Sequence, residues 1–247
     1  MAEIFDRVID SPKMLRNFVQ IMRSGAVARR SLGTLPKRLV QQWLEGRSDD
    51  QLFRGSVGSS PSLADIIKMV HPKPTTLARA ALYAYLLGKS YDAALLPELV
   101  KSFEAFKTNP CVESTSELPD VPMDMLTNFN LSKALWRTIL GRVSWQTLRM
   151  NLNTFARHGV FESRECIAYA ARKLRDPAEV RRARVFPYQL MAAYTNVDPA
   201  IPKAIKWALH DAMEAAIDNI PQLDGKVWVF PDVSGSMHSP VTGVRKG

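Results

Sequence analysis

The sequence predicts an all-α protein, an α-solenoid of short antiparallel helices, which passes into a single β-strand near its C-terminus. Apolar residues recur at helical spacing through most of the 247 residues, and prolines, glycines and capping hydroxyls divide them into short helices. One continuous apolar run, residues 227–230, departs from this pattern. A succession of short helices without intervening strands is typical of repeats that bury their faces against neighbouring repeats, although no strict residue-level period is present.

The predicted helices of the N-terminal half each have a recognisable start or end. Pro12 follows Ser11 as a first-turn proline, and Gly46 ends a helix that Thr34 opens. A proline pushes the residue before it out of the helical region, so the helix that Ser62 caps must stop at the sequence HPKP. The predicted helices of this half are 12–22, 34–46, 62–70, 75–88 and 97–107.

The C-terminal half begins with an acidic, turn-rich segment, residues 109–122, which predicts a connecting loop. The run VWVF (227–230) follows a turn at Asp224-Gly225 and predicts a strand buried on both faces, as in a parallel sheet. Such a strand needs partners from sequence beyond Gly247, or else the tail packs irregularly on the helices. Between loop and strand, helices are predicted at 132–140, 144–157, 163–175, 177–183, after Pro187 and at 199–219.

The composition is that of a globular protein, with 46% hydrophobic and 23% charged residues. No apolar run reaches the length of about eighteen residues that a membrane span requires. The N-terminal sequence MAEIFDRVID carries acids where a signal peptide has basic residues, so a cytoplasmic location without membrane association is expected. Cys111 and Cys166 have no neighbouring cysteine or histidine, which predicts neither a zinc site nor a disulfide framework.

The net charge of +9 is unevenly distributed along the chain. Residues 13–54 hold nine Lys/Arg against three acids, a net of +6, and residues 133–184 hold twelve against four, a net of +8. Between these blocks, residues 85–132 hold three basic residues against seven acids, a net of −4. Two basic blocks indicate surfaces that face polyanions such as nucleic acid, and the alternative is an ordinary solvated basic surface.

The sequence DVSGSM, after the predicted strand, places the oxygen atoms of Asp232, Ser234 and Ser236 on one tight loop. Hard cations such as Mg²⁺ prefer oxygen ligands. The pattern DxSxS resembles the metal-ion-dependent adhesion site (MIDAS motif) of von Willebrand factor A domains. That family completes the site with a Thr and an Asp from later loops, so the resemblance implies an incomplete site that stays without its divalent cation. A polar turn after a strand is the alternative.

A helical region followed by the DVSGSM sequence resembles the Ro ribonucleoprotein autoantigen family, in which a TROVE domain precedes an A domain. The similarity implies a partial TROVE domain at 1–222 and the truncated start of an A domain at 223–247. In that family, HEAT-like repeats close into a ring that binds Y RNAs outside and 3′ ends of misfolded RNAs inside. The similarity therefore implies a non-enzymatic RNA-binding scaffold with noncoding RNA and exoribonucleases as partners. The similarity is carried by residues 43–74, 131–144, 182–194 and 225–237.

Candidate RNA-binding residues follow from this resemblance together with the two basic blocks. The family's outer-surface contacts map onto His71 and, less directly, Arg54, with Lys68 and Lys73 as neighbours. A histidine at a helix end that only donates to nearby carbonyls is the alternative for His71. The other candidates are Arg29, Arg30, Lys37 and Arg38 around a turn, and Arg137, Arg142, Arg149, Arg172 and Lys173 as residues that line the ring.

Two other functional classes were weighed against RNA binding. A protein-interaction module would show an exposed apolar groove and basic residues scattered over opposite faces. An enzyme has no support, because no Cys-His, Ser-His-Asp, HExxH or glycine-rich phosphate motif is present. His158 is predicted to end a helix. The aromatic residues Tyr83, Tyr85, Trp136 and Trp145 are predicted to pack in the core rather than bind a ligand.

Overall fold

The computed structural model describes residues 2–28, 30–110, 117–222 and 224–235. Within them the chain is helical and contains no strand, which confirms the predicted all-α class. The helices are α1 (Ala2–Val8), α2 (Pro12–Arg23), α3 (Thr34–Glu45), α4 (Asp49–Arg54), α5 (Leu63–Val70), α6 (Leu77–Leu86), α7 (Glu98–Thr108), α8 (Met123–Leu126), α9 (Lys133–Arg142), α10 (Trp145–Met150), α11 (Leu152–Arg157), α12 (Arg164–Arg175), α13 (Pro177–Ala183), α14 (Pro187–Asn196) and α15 (Lys203–Ala216).

Serine and threonine side chains start many of these helices by accepting a hydrogen bond from a backbone N–H of the first turn. Ser48 and Ser62 form complete capping boxes with Gln51 and Asp65, respectively. Each cap satisfies N–H groups that have no partner inside the helix, which fixes where the helix begins. The same role is played by Ser11, Thr76, Ser132, Ser144 and Ser163.

One continuous hydrophobic core runs from Phe5 to Ala216 and receives residues from successive helices. Helix α5 packs against α2, α3 and α6, and α15 packs against α12, α13 and α14. Many of these contacts join helices that lie two or three positions apart in the chain, so each helix packs against a local group of helices, as in a solenoid. Tyr83, Trp136 and Trp145 are buried in this core, and the hydroxyl of half-buried Tyr85 donates to Glu104, so the aromatic residues pack as predicted.

A buried arginine joins three helices of the N-terminal half. The guanidinium of Arg79 on α6 forms an ion pair with Asp49 at the start of α4. Its other nitrogen atoms donate to the carbonyl oxygen atoms of Leu44, at 2.9 Å, and Arg47, at 2.5 Å, at the C-terminal end of α3. Arg79 thus satisfies carbonyl groups that the end of α3 leaves without partners.

Two predicted helix boundaries differ from the structure. The predicted helix 144–157 is divided at Asn151, whose side-chain amide donates to the Thr147 carbonyl at 2.9 Å and competes with the helical pattern. The predicted helix 199–219 begins later, at Lys203, because Pro202 is extended and Asp198 closes a turn by accepting from the N–H of Ala200.

The predicted buried strand at 227–230 is not confirmed, since these residues form no ladder with any described residue and lie exposed. Trp228 and Phe230 are 77% and 86% exposed. A strand needs a neighbour to pair its backbone groups, and the described residues supply none. Of the described helices, the longest has 14 residues, and none is long and apolar enough to cross a membrane.

Candidate nucleic-acid interface

Basic side chains from α2, α3 and α5 line two adjoining surface cavities. The first cavity, of about 650 Å³, is bordered by Arg23 and Lys68. The second, of about 660 Å³, is bordered by Arg23 again and by three further basic residues of the α3 region. Because Arg23 and Met69 border both cavities, they form one concave surface, the N-terminal groove, which we define by Arg23, Arg30, Lys37, Arg38, Lys68 and Met69.

The local sequence explains why these cations reach the surface together. Met22 and Ile67 are buried, so Arg23 and Lys68, next to them in sequence, project to solvent from the last turns of α2 and α5. Gly33, which borders the second cavity, adopts a positive φ of 69° immediately before α3, a backbone conformation that favours glycine. Three helix ends with basic residues therefore meet at one place.

The groove carries a large excess of positive charge. None of its five cationic side chains forms an ion pair with a described residue. Asp65 borders the groove beside Lys68, and its carboxylate accepts hydrogen bonds from the Ser62 hydroxyl and N–H. These bonds, and then the charges of Lys68 and Arg23, lower the pKa of Asp65 below its usual value. One carboxylate against five cations leaves a strongly positive surface at neutral pH.

His71 ends α5 next to this groove. Its backbone is left-handed, with φ 51° and ψ 61°, and its N–H donates to the Ile67 carbonyl at 2.9 Å. Gln41, which borders the groove, donates from its side chain to the carbonyl groups of Val70 at 2.6 Å and His71 at 3.4 Å. The backbone of His71 thus has the helix-end role, while its side chain and that of Lys73 are exposed.

Arg54 lies away from the groove and is engaged in the fold. Its guanidinium forms an ion pair with Asp120 at 2.6 Å and donates to the Asp120 carbonyl at 2.8 Å. Arg142 donates to the Leu118 carbonyl at 2.9 Å from α9, so two arginines hold the described part of the acidic loop. Both arginines border a separate cavity of about 270 Å³. Arg29 lies outside the described residues.

Three candidates of the second basic block, Arg142, Arg149 and Lys173, donate to backbone carbonyl groups of other segments. Arg149 donates to the Gln189 carbonyl at 2.9 Å, and burial lowers the pKa of its guanidinium. Lys173 donates to the Val143 carbonyl at 2.6 Å. Arg137 and Arg172 are exposed. The prediction that this block lines a ring therefore stays a prediction.

Of the three predicted ligands in the DxSxS loop, the structure describes Asp232 and Ser234. Asp232 is exposed, and its carboxylate accepts from the Ser234 N–H at 2.9 Å, which lowers the pKa of Asp232. Ser236 lies outside the described residues. Among the described residues no group of three His, Cys, Asp or Glu side chains lies close enough to hold a metal ion. The predicted metal loop therefore stays a prediction.

Arg23 was missing from the candidates predicted from the sequence. It stands alone in the sequence, six residues before the nearest basic pair. The amphipathic pattern of α2 carries the signal that could have identified it, because Leu15, Val19 and Met22 are buried and place Arg23 at the polar end of the last turn. His158 was predicted correctly as the residue that ends α11.

Comparison with known proteins gives one match, and it concerns the fold. The crystal structure of the Ro (RSR) protein of Deinococcus radiodurans matches with a TM-score of 0.63 and 20% sequence identity over 89% of this chain. The chain shares its fold with a Ro protein. The match covers 48% of the Ro chain, so the present chain spans about half the length of that protein. Neither protein-family models nor curated proteins gave a match.

Proposed function

We propose that this chain is an RNA-binding protein of the Ro family, which acts as a ribonucleoprotein scaffold without catalysis. The observation that carries this proposal is the N-terminal groove, where five cations meet without an ion-pair partner among the described residues. The fold shared with a Ro protein supports it. RNA is the polyanion that suits such a surface, since phosphate contacts release counterions and dominate affinity.

The chemistry of binding divides between charge and stacking. Arginine and lysine side chains of the groove bind phosphate oxygen atoms, and arginine does so with two parallel N–H donors. His71 follows Lys68 and Met69 of the groove by three and two residues in the chain, and its exposed imidazole can stack on a base or donate to phosphate or a 2′-hydroxyl. The groove thus supplies affinity, and His71 supplies a contact that depends on the base or sugar.

The finer parts of the proposal come from the resemblance described above. The RNA partners are small noncoding RNAs like Y RNA and the 3′ ends of misfolded RNA. Exoribonucleases are proposed as protein partners, and the cytoplasm is the proposed location. Residues 223–247 are proposed as the start of an A domain, whose metal loop holds no cation in this chain.

The groove is tested by removing three of its charges at once. Arg30→Ala/Lys37→Ala/Arg38→Ala is expected to weaken binding of a structured noncoding RNA by about 10²-fold and to reduce the salt slope by about 2 to 3. The control is Arg7→Ala/Lys89→Ala/Lys203→Ala, which removes three exposed charges outside the groove and outside both basic blocks. Fluorescence anisotropy over a salt series measures both quantities. Equal affinity of the two triple variants would reject the groove.

His71 is tested separately with a substitution that keeps its backbone. Asparagine tolerates the left-handed conformation of this position, so His71→Asn removes the imidazole and leaves the end of α5 intact. Loss of stacking on one base corresponds to about 5- to 100-fold in affinity, with little change in the salt slope. A variant that binds as the original chain does would leave His71 with its backbone role alone.

A protein-interaction module remains the second candidate because α14 has an exposed apolar face. Tyr188 and Met191 are 66% and 56% exposed, and Tyr194 continues the same stripe at helical spacing. Replacement of these three residues by serine is expected to abolish capture of a protein partner and to leave RNA binding unchanged. The protein-interaction function would be favoured if the Arg30, Lys37 and Arg38 triple variant bound RNA as tightly as the original chain.

A further inference from the structure

Helix α14 carries an apolar stripe on its exposed side. Tyr188 and Met191 are 66% and 56% exposed, and Tyr194 follows three residues later at 43%. Phe186, just before the helix, extends this surface by stacking on Tyr188 with ring centroids 6.2 Å apart. No residue of α14 carries a charge. These side chains, which we call the α14 stripe, are of the kind that the buried centre of a protein–protein interface favours.

A second apolar stripe lies on α1. Ile4 and Val8 are four residues apart, so they share one face of the helix, and they are 55% and 52% exposed. Phe5 and Ile9 are buried instead, and the ring of Phe5 packs edge-on against Phe18 of α2. The helix therefore makes its core contact without Ile4 and Val8, and this pair, which we call the α1 stripe, stays exposed.

The two stripes do not cover each other within one chain, because both are exposed in the same fold. Each belongs to a helix that packs on its own neighbour, α1 on α3 and α14 on α15. Every chain therefore offers one stripe of either kind. Contact between the α14 stripe of one copy and the α1 stripe of another would remove both from water.

The charges beside the stripes determine which faces meet. Residues 179–196 contain three arginines and one acid, a net of +2, whereas residues 4–10 contain two aspartates and one arginine, a net of −1. The exposed residues without an ion-pair partner among the described residues include Arg181, Arg184, Asp6 and Asp10. Two α14 stripes face to face would bring arginines together, whereas α14 against α1 brings arginines to aspartates. Charge complementarity therefore favours the unlike pair.

We infer that two copies of this chain associate through unlike faces, with the α14 stripe of one copy against the α1 stripe of the other. The inference goes beyond the proposed function, because neither stripe includes a residue of the N-terminal groove and no RNA takes part. It names a second copy of the chain as the partner of the apolar face of α14. Such a heterologous contact leaves one stripe of each kind free in a pair, so larger assemblies also form unless the rotation between copies closes.

Sedimentation equilibrium of the full chain without RNA, over a concentration series, tests the association. The average mass is expected to rise above that of one chain, 27.7 kDa, as the concentration increases. It is expected to fall again as salt is added, because the contact pairs opposite charges that salt screens. The mass of one chain at every concentration would overturn the inference. Association that strengthens with salt would indicate contact between like apolar faces and would overturn it too.

Two double variants then distinguish unlike from like faces. Ile4→Gln/Val8→Gln removes the α1 stripe, and Tyr188→Gln/Met191→Gln removes the α14 stripe, while glutamine keeps a good helix propensity. Each variant alone is expected to keep the mass of one chain, because a contact needs one stripe of each kind. An equimolar mixture is expected to form pairs and nothing larger, since each variant supplies the stripe that the other lacks. A mixture that does not pair would contradict the inference.

Leu77→Gln/Leu95→Gln removes two exposed leucines outside both stripes and serves as the matched control, with thermal unfolding as the check on folding. If the α1 variant alone still forms pairs and the α14 variant does not, like faces meet and the inference fails. It also fails if only Trp228→Ser/Phe230→Ser, in the exposed C-terminal run, lowers the mass to that of one chain. RNA affinity enters none of these outcomes, so the proposed function stands or falls separately.

Discussion

The buried guanidinium of Arg79 contacts its partners through its shape as well as its charge. Its ion pair with Asp49 and its bonds to two carbonyl groups at the end of α3 need the planar fork of a guanidinium. Lysine keeps the charge but cannot reach all three partners. Arg79→Lys is therefore expected to lower the free energy of unfolding by about 3 kcal/mol in urea denaturation.

Arg7→Lys provides the control for this prediction, because Arg7 is an exposed residue of α1. It is expected to change the free energy of unfolding by less than about 0.5 kcal/mol. Similar effects of the two substitutions would show that Arg79 contributes only its charge.

His158 makes stability depend on pH. Its ring stacks on Trp136 with centroids 4.0 Å apart, and burial, followed by the charge of Arg157, lowers its pKa below 6.5. Between the folded pKa and 6.5, the unfolded chain binds a proton that the folded chain does not. This contribution to stability is therefore complete at high pH and is lost as the pH falls through that window.

His158→Phe separates this effect from other titrations, since phenylalanine retains the stack on Trp136 and cannot be protonated. Urea denaturation at a pH near 8 and a pH near 5 is expected to show a smaller loss of stability for the variant than for the original chain. An identical pH dependence of the two proteins would assign the titration to other groups.

The sequence shows which basic residues lie near helix ends, but it does not show which of them are paired within the fold. Arg30, Lys37 and Arg38 were predictable as surface cations because helix signals place them around a turn and a helix start, whereas Lys68 was named through the resemblance alone. The engagement of Arg54 was not predictable, because its partner Asp120 lies 66 residues away in the chain. A basic side chain binds RNA or an internal carboxylate according to contacts that only the folded chain creates.

At the scale of helices, a glycine sets the contact between α2 and the end of α4. A Cβ atom at Gly55 would lie 2.5 Å from the Cγ of Pro12, and the Gly55 carbonyl accepts from Arg16 at 3.1 Å. Gly55→Ala must push the two helices apart and is expected to cost about 1 to 3 kcal/mol in the free energy of unfolding.

Gly141 is the matched control, because it lies inside α9 and a Cβ atom there meets nothing within 4 Å. Gly141→Ala is expected to stabilise the chain by about 0.5 to 1 kcal/mol. Chemical denaturation measures both variants. Stabilisation by Gly55→Ala would show that Pro12 moves aside without cost.

Capping and breaking residues in the sequence predicted most helices. Two features could not be predicted in this way, the break at Asn151 and the missing strand at 227–230. Caps such as Ser62 and breakers such as the HPKP sequence act within one turn, so the sequence alone locates them. The division at Asn151 depends on the hydrogen bond that its side-chain amide donates to the Thr147 carbonyl, and the residue type alone does not reveal that bond. The strand at 227–230 had the right composition, but composition cannot supply the neighbouring strand on which a ladder depends.

At the scale of the whole molecule, the described part of the C-terminal tail contributes no buried residue to the helical core. Residues 224–235 are exposed throughout, and the bond between Asp232 and Ser234 is local. Removal of residues 223–247 is therefore expected to leave the thermal midpoint of the helical part unchanged in calorimetry. A lower midpoint would show that the tail stabilises the helices and would contradict a domain boundary at residue 222.

The two basic blocks of the sequence differ in a way that only the folded chain shows. Both basic blocks were visible in the sequence, but the first gathers at one groove while several residues of the second hold carbonyl groups. Counting charges could not distinguish them. The fold shared with a Ro protein, over about half of that protein, was predictable from the order of helices and the final DVSGSM sequence.

The exposed run VWVF has a practical consequence for handling this protein. Four consecutive apolar residues with high β-propensity and free backbone groups are a template for intermolecular sheet formation. Lys226 before the run and Pro231 and Asp232 after it act as gatekeepers, since charge and proline oppose stacking of strands. Aggregation at high concentration will start at this tail, and a more soluble sample will come from shielding it rather than from changing the helices.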